Sequence, residues 1–175
     1  GVMGYADLLI RLGIPYDSED ALEVAEQVMS AIQDESKKKS QELAVTRGGF
    51  PAFHLSEYAL SGDKPLRNAT TTTIAPTGTI SIIADSSSGI EPIYALAYVR
   101  NVMDNDRLIE SNPVFEKAIK ERGGDADYKT LMEKIAFSGS AQNIGEIPDE
   151  IKKIFVTAHD ISPEWHIRTQ AVFQK

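Results

Sequence analysis

The sequence predicts a mixed α/β fold, rich in helix. Three observations predict it. Apolar residues recur at helical spacing through most of the chain, most clearly over 19–47. Short β-branched or aromatic runs, Asn68–Ala75 and Tyr94–Val99, have the composition of strands. The helical runs alternate with these strand-like ones, as crossover connections do.

Taken in order, Ala6–Leu12 reads as a short helix stopped by Gly13. Asp17 or Ser18 then caps a long helix from about Glu19 to Arg47, ended by Gly48-Gly49. Its apolar stripe is Leu22, Ala25, Val28, Met29, Ile32 and Leu43, while Lys37-Lys38-Lys39 faces solvent. At 1.5 Å per residue such a helix spans roughly 40 Å. Phe50, Pro51, Phe53 and Tyr58 form an irregular aromatic segment, read as core packing rather than a base-stacking platform. After the strand at Asn68–Ala75, the residues Ile80, Ile82, Ile83 and Ala84 open a short helix. In the second half, Asn112 caps a helix with Pro113 at its first position, and Gly123-Gly124 closes it. Tyr128–Phe137 is another, burying Leu131, Met132, Ile135 and Ala136. Pro148–Phe155 is a third. Ser162-Pro163 starts a fourth, carrying Trp165, Arg168 and Val172. A third short strand is expected at Phe155–Thr157.

Composition narrows the function. At 175 residues the chain can bury a sizeable core. Its 42% hydrophobic and 25% charged residues are those of an ordinary globular protein. No run of about 18 apolar residues is present, and the first residues lack a secretory pattern, so no membrane partner is expected. A net charge of −8 leaves no basic excess to neutralise a nucleic-acid backbone. With no Cys there is no disulfide framework, consistent with a cytoplasmic setting.

The residues most suggestive of chemistry are Ala75-Pro76-Thr77-Gly78-Thr79-Ile80-Ser81, at the junction of strand and helix. A helix start presents free N–H groups and the positive end of the dipole. Gly78 lets a ligand approach the backbone. Thr77, Thr79 and Ser81 each offer a hydroxyl. The Gly-Lys-Ser/Thr ending of a nucleotide-triphosphatase loop is missing, so this is a phosphate cradle without its own cation. An ordinary turn is the competing reading of the same heptapeptide.

Other chemistries read less well. His159, Asp160, Glu164 and His166 lack a standard metal-ligand spacing and are read as capping and hydrogen-bonding groups. Ser86–Gly89 contains no Gly-x-Ser-x-Gly elbow, which argues against a serine hydrolase. Glu91 before Pro92 is paired in this reading with Arg100.

Several strings then carry a resemblance. Besides Asn68–Ser81 they are Gly1–Leu9, Gly89-Ile90-Glu91-Pro92, Ala97-Tyr98-Val99-Arg100, Asn112-Pro113-Val114-Phe115 and Thr157–Arg168. In this order they closely resemble the catalytic subunit of ribonucleotide reductase, and best its adenosylcobalamin-dependent branch. The resemblance covers essentially the whole chain. It implies a ten-stranded α/β barrel, of which residues 1–175 would form one partial domain from the second half. It implies a ribonucleotide substrate whose phosphates are held by Pro76, Thr77, Gly78, Thr79, Ile80 and Ser81, with adenosylcobalamin as cofactor. One small departure is Asp85-Ser86, where the family commonly has Gly-Cys. A larger one is the missing Asn-x-Cys-x-Glu segment, whose Cys becomes a thiyl radical, and the missing pair of reducing cysteines. Together with a start at Gly1, this leads us to expect a downstream fragment. Its partners would be the upstream part of the same enzyme and, through exposed barrel edges, a second copy of itself. A class I catalytic subunit, or a stand-alone phosphate-binding module, are the alternatives.

Overall fold

The computed structural model describes residues 1–101, 107–122 and 127–175, with the side chains of all but Arg100, Asn101, Arg107, Leu108 and Arg122. The helices are α1 (Tyr5–Leu12), α2 (Glu19–Arg47), α3 (Glu57–Leu60), α4 (Gly78–Ile83), α5 (Pro113–Arg122), α6 (Tyr128–Ser138), α7 (Asp149–Ile154) and α8 (Pro163–Gln174). A 3-10 turn, Phe53–Leu55, precedes α3. Strands β1 (Ala97–Asn101) and β2 (Arg107–Ser111) pair antiparallel, with Val99 opposite Ile109.

Local chemistry explains the helix ends. Ser18 caps α2, its hydroxyl accepting from the Ala21 N–H at 3.2 Å. The Asn112 carboxamide oxygen accepts from the N–H groups of Val114 and Phe115, each at 3.0 Å, so α5 starts where Asn-Pro predicts. Asp127 caps α6 in the same way. The proposed closure of α5 at Gly123-Gly124 lies outside the described residues.

One core runs through the molecule. Tyr5, Tyr16 and Phe173 pack edge to face, with ring centroids 5.6 and 4.9 Å apart. Around them stand Leu9, Ala21 and Ala25, continuing to Leu96, Phe115, Ile135 and Phe155. α2 packs on α8, tied by Arg168 to Glu19 at 2.6 Å and Lys175 to Glu26 at 2.8 Å. α6 covers the β1–β2 hairpin.

Several expectations are corrected. Asn68–Ala75 is not a strand. It has no ladder partner among the described residues and is tied to α2 by side chains instead. The Asn68 N–H donates to Ser40 Oγ at 3.0 Å, and Thr72 Oγ1 donates to Gln33 Oε1 at 2.7 Å. Strand-prone residues make a strand only where a neighbouring strand supplies hydrogen bonds. Phe155–Thr157 shrinks to one parallel bridge between Thr157 and Ile93. The strand expected at Tyr94–Val99 begins at Ala97 and pairs with β2, which was not expected. On α2, Ile32 is exposed rather than part of the buried stripe, and the ion pairs that tie α2 to the α8 end of the chain lie before it, at Glu19 and Glu26. The aromatic segment lies outside the main core: Phe50 and Phe53 are half-buried and pack on each other at 5.5 Å. Lys37 is not simply solvated, since it pairs with Asp63 at 2.8 Å and lies over the Tyr58 ring. Lys38 and Lys39 are exposed, as expected.

Candidate functional site

The loop before α4 is built by its backbone. Thr77 adopts a left-handed conformation, φ 52° and ψ 23°, and directs the chain into the helix. Among the described residues, the N–H groups of Gly78, Thr79 and Ile80 have no acceptor. All three residues are exposed, so three free donors sit together at the start of a helix. A Cβ added at Gly78 would meet no atom within 4 Å beyond its chain neighbours and its own helix backbone. Packing against the rest of the protein therefore does not require glycine there.

The predicted site residues separate into two groups. Pro76 and Thr79 are exposed, and the Thr79 hydroxyl makes no hydrogen bond among the described residues. The Thr77 hydroxyl accepts from the Gly89 N–H at 2.7 Å and keeps its own proton to donate. Ser81 faces the other way. It is buried, its N–H donates to the Thr77 carbonyl at 2.9 Å, and its hydroxyl is bonded to Gly78 O at 3.1 Å and Ser88 Oγ at 2.9 Å. Its hydroxyl is thus spent inside the loop.

Residues outside the predicted set support this loop. Asp7, in the first turn of α1, accepts from the Ser87 N–H at 2.6 Å. Gly4 N–H donates to the Ser87 carbonyl at 2.8 Å, and Tyr16 OH donates to the Ile90 carbonyl at 2.7 Å. Burial pushes the Tyr16 phenol up to about 12, with the nearby Glu91 adding to the push and the Thr169 hydroxyl opposing it. Tyr5 is raised as well, by burial first and then by Tyr16. The one sequence signal for this support was Ser86-Ser87-Ser88-Gly89 itself, which local spacing does not connect to residue 77.

Behind α4 lies an open cleft of about 630 Å³, bounded by Ser81, Ile82, the Ser86–Ser88 turn and the hairpin. Asp7, Asp85, Glu91, Glu110 and Glu116 line it, against Arg11. That charge balance disfavours an anion in the cleft. Elsewhere, Asp160 accepts from Thr157 N–H at 2.8 Å and from Ser140 Oγ at 2.8 Å. His159 packs edge to face on Tyr94, and His166 Nε2 lies 3.2 Å from the Ala158 carbonyl. Among the described residues no three His, Asp or Glu side chains gather to hold a metal. Glu91 is exposed, and the Arg100 side chain proposed as its partner lies outside the described ones.

The family model for the ribonucleotide reductase barrel domain matches residues 1–64 and 60–175. The chain belongs to this family. A vitamin B12-dependent ribonucleoside-diphosphate reductase of Thermoplasma acidophilum is 56% identical over 175 residues, all of this chain and 22% of that protein. One of the same description from Mycobacterium tuberculosis H37Rv is 45% identical over all of this chain and 24% of that protein. A ribonucleoside-diphosphate reductase subunit alpha of Chlamydia muridarum is 29% identical over 211 residues, all of this chain and 20% of its own. Among solved structures, the class Id ribonucleotide reductase alpha subunit of Actinobacillus ureae superposes with a TM-score of 0.76 at 30% identity. That match covers 99% of this chain and 30% of the other. The chain therefore spans less than a third of each relative, and as a reductase barrel segment it is helix-rich with a small sheet. The two family matches overlap at residues 60–64, where α3 ends and Asp63 pairs with Lys37.

Proposed function

We propose that this chain is the substrate-phosphate-binding part of a ribonucleotide reductase, which converts ribonucleotides to deoxyribonucleotides by radical chemistry. The observation that carries the reading is the trio of free N–H groups at Gly78, Thr79 and Ile80, in a chain of the reductase barrel family. In this reading the three N–H groups and the Thr79 hydroxyl receive phosphate oxygens. Thr77 donates its remaining proton, Pro76 shapes the loop beside the ribose or base, and Ser81 holds the loop from within. Residues 1–175 act as one partial domain.

The parent enzyme is assigned to the adenosylcobalamin-dependent branch. Relatives named as B12-dependent are 45–56% identical, whereas the Chlamydia muridarum subunit alpha is 29% identical over 211 residues. A class I parent is the second reading, favoured by the class Id structural neighbour. Adenosylcobalamin supplies the radical when bound, but the described residues do not make a site for it. His159 and His166 are engaged with Tyr94 and the Ala158 carbonyl, and the cleft behind α4 is acidic and open. No residue of this chain is assigned to the cofactor. The sequence also holds no Cys, so the thiyl radical and the reducing dithiol come from the upstream part of the longer enzyme. No helix among the described residues is long and apolar enough to cross a membrane. Action in the cytoplasm without a nucleic-acid partner completes the reading, supported by the net charge of −8.

The test is an assay of this chain with each ribonucleotide, adenosylcobalamin and a dithiol, beside calorimetry with a ribonucleoside diphosphate. Binding without turnover is the expected result. Turnover above a no-protein control would overturn the division of labour, and absence of any diphosphate binding would overturn the phosphate role.

A further inference from the structure

We propose that Ser88 and Gly89 are positioning residues for the phosphate loop: they hold Thr77 in its left-handed conformation and so aim the free N–H groups that follow it. The proposal rests on the reading of Pro76–Ser81 as the phosphate loop.

Thr77 is β-branched, and its φ of 52° lies in a region that such residues avoid. Something outside the loop must hold it there. Two bonds come from the Ser88-Gly89 turn: Gly89 N–H to Thr77 Oγ1 at 2.7 Å, and Ser88 Oγ to Ser81 Oγ at 2.9 Å. Gly89 cannot be replaced without displacement. Its own φ is 48°, and a Cβ there would stand 2.9 Å from the Ala75 carbonyl oxygen, a backbone atom of the loop itself. The turn is in turn anchored to α1, through Asp7 Oδ2 to Ser87 N–H at 2.6 Å and Gly4 N–H to Ser87 O at 2.8 Å. A chain of contacts therefore runs from a buried helix, through residues 87–89, to the torsion that sets where three amides point. Anion recognition by backbone amides depends on such preorganisation, because a loop that must be ordered on binding loses affinity. Ser88 and Gly89 would thus govern phosphate affinity without touching phosphate.

The experiment uses the isotope-labelled chain and inorganic pyrophosphate as probe, followed by NMR. Unmodified protein, Ser88→Ala and Gly89→Ala are compared in two readouts. Without ligand, carbon shifts and couplings report φ at Thr77, and relaxation reports order at residues 78–80. With pyrophosphate, the amide shifts of Gly78, Thr79 and Ile80 give affinity. Both variants are expected to release Thr77 from the left-handed region, to lower order at 78–80, and to weaken pyrophosphate by about threefold to tenfold or more. Folding elsewhere is expected to persist, seen in unchanged shifts around Phe115 and Ile135. If Gly89→Ala does not fold, Ser88→Ala decides. Unchanged φ and order in Ser88→Ala, and in Gly89→Ala where it folds, overturn the proposal. If unmodified protein shows no pyrophosphate shifts, the phosphate reading fails, and the ligand-free readouts still decide the positioning role.

Discussion

At Gly78 the informative feature is the space where a side chain would be. No atom beyond its chain neighbours and its own helix backbone lies within 4 Å of the added Cβ, so Gly78→Val should fold and still block a ligand from the free amides. Thr79→Ala removes an exposed hydroxyl together with its methyl group. A hydrogen bond to a charged acceptor is worth about 1.5–3 kcal/mol, so Thr79→Ala should weaken diphosphate binding roughly tenfold to a hundredfold, and Gly78→Val by more. Calorimetry checks both, and equal affinity in all three proteins would reduce the motif to a turn. Tyr16 supports a second prediction. Its phenol is raised from an ordinary value of 10.0 to about 12, chiefly by burial. Above pH 10 the unfolded phenol loses its proton while the folded one keeps it, so the unfolded chain binds fewer protons. The stability from this group is fully present below pH 10 and is lost as pH rises towards 12. Urea unfolding midpoints across that range should fall with pH, and Tyr16→Phe should flatten the fall.

Among the elements, α5 and the 68–75 segment show opposite balances of local and tertiary control. One side chain, Asn112, satisfies two N–H groups at the start of α5, just before the fully buried Phe115. Asn112→Ala should cost about 0.5–2 kcal/mol, read from thermal or urea unfolding. Segment 68–75 has strand-forming residues but is held by Ser40, whose buried hydroxyl accepts from the Asn68 N–H and donates to Asn68 Oδ1 at 3.1 Å. Ser40→Ala should leave α2 intact and speed amide exchange at Asn68. Unchanged exchange there would show that other contacts hold the segment.

For the whole molecule, the exposed apolar surface is the dominant feature. Ile82, Ile83 and Tyr94 are 79%, 81% and 75% exposed, and the β1–β2 pair has no further strand partner among the described residues. Apolar patches and open strand edges favour association with another chain. Light scattering over a concentration series should show self-association of the isolated chain. A well-behaved monomer at high concentration would show that the core from α1 to α8 suffices.

By itself the sequence determined most of the helices and the caps of α2 and α5, because each depends on neighbours within a few positions, Ser18 on Ala21 and Asn112 on Phe115, whereas the short α3 inside the aromatic segment was not legible in it. It also held, in strings spread along the chain, the resemblance to the reductase barrel family. What only the tertiary structure decided depends on contacts between distant residues. Asn68–Ala75 became coil because α2 offers side-chain partners and no strand edge. Ile32 is exposed although the helical spacing of α2 placed it on the apolar stripe. Ser81 is buried and bonded within the loop because Ser88, seven positions on, folds back onto it. Hydrogen-bond partners brought together by folding are not encoded in any local pattern, and they decide which hydroxyls of one loop stay exposed and which are engaged inside it.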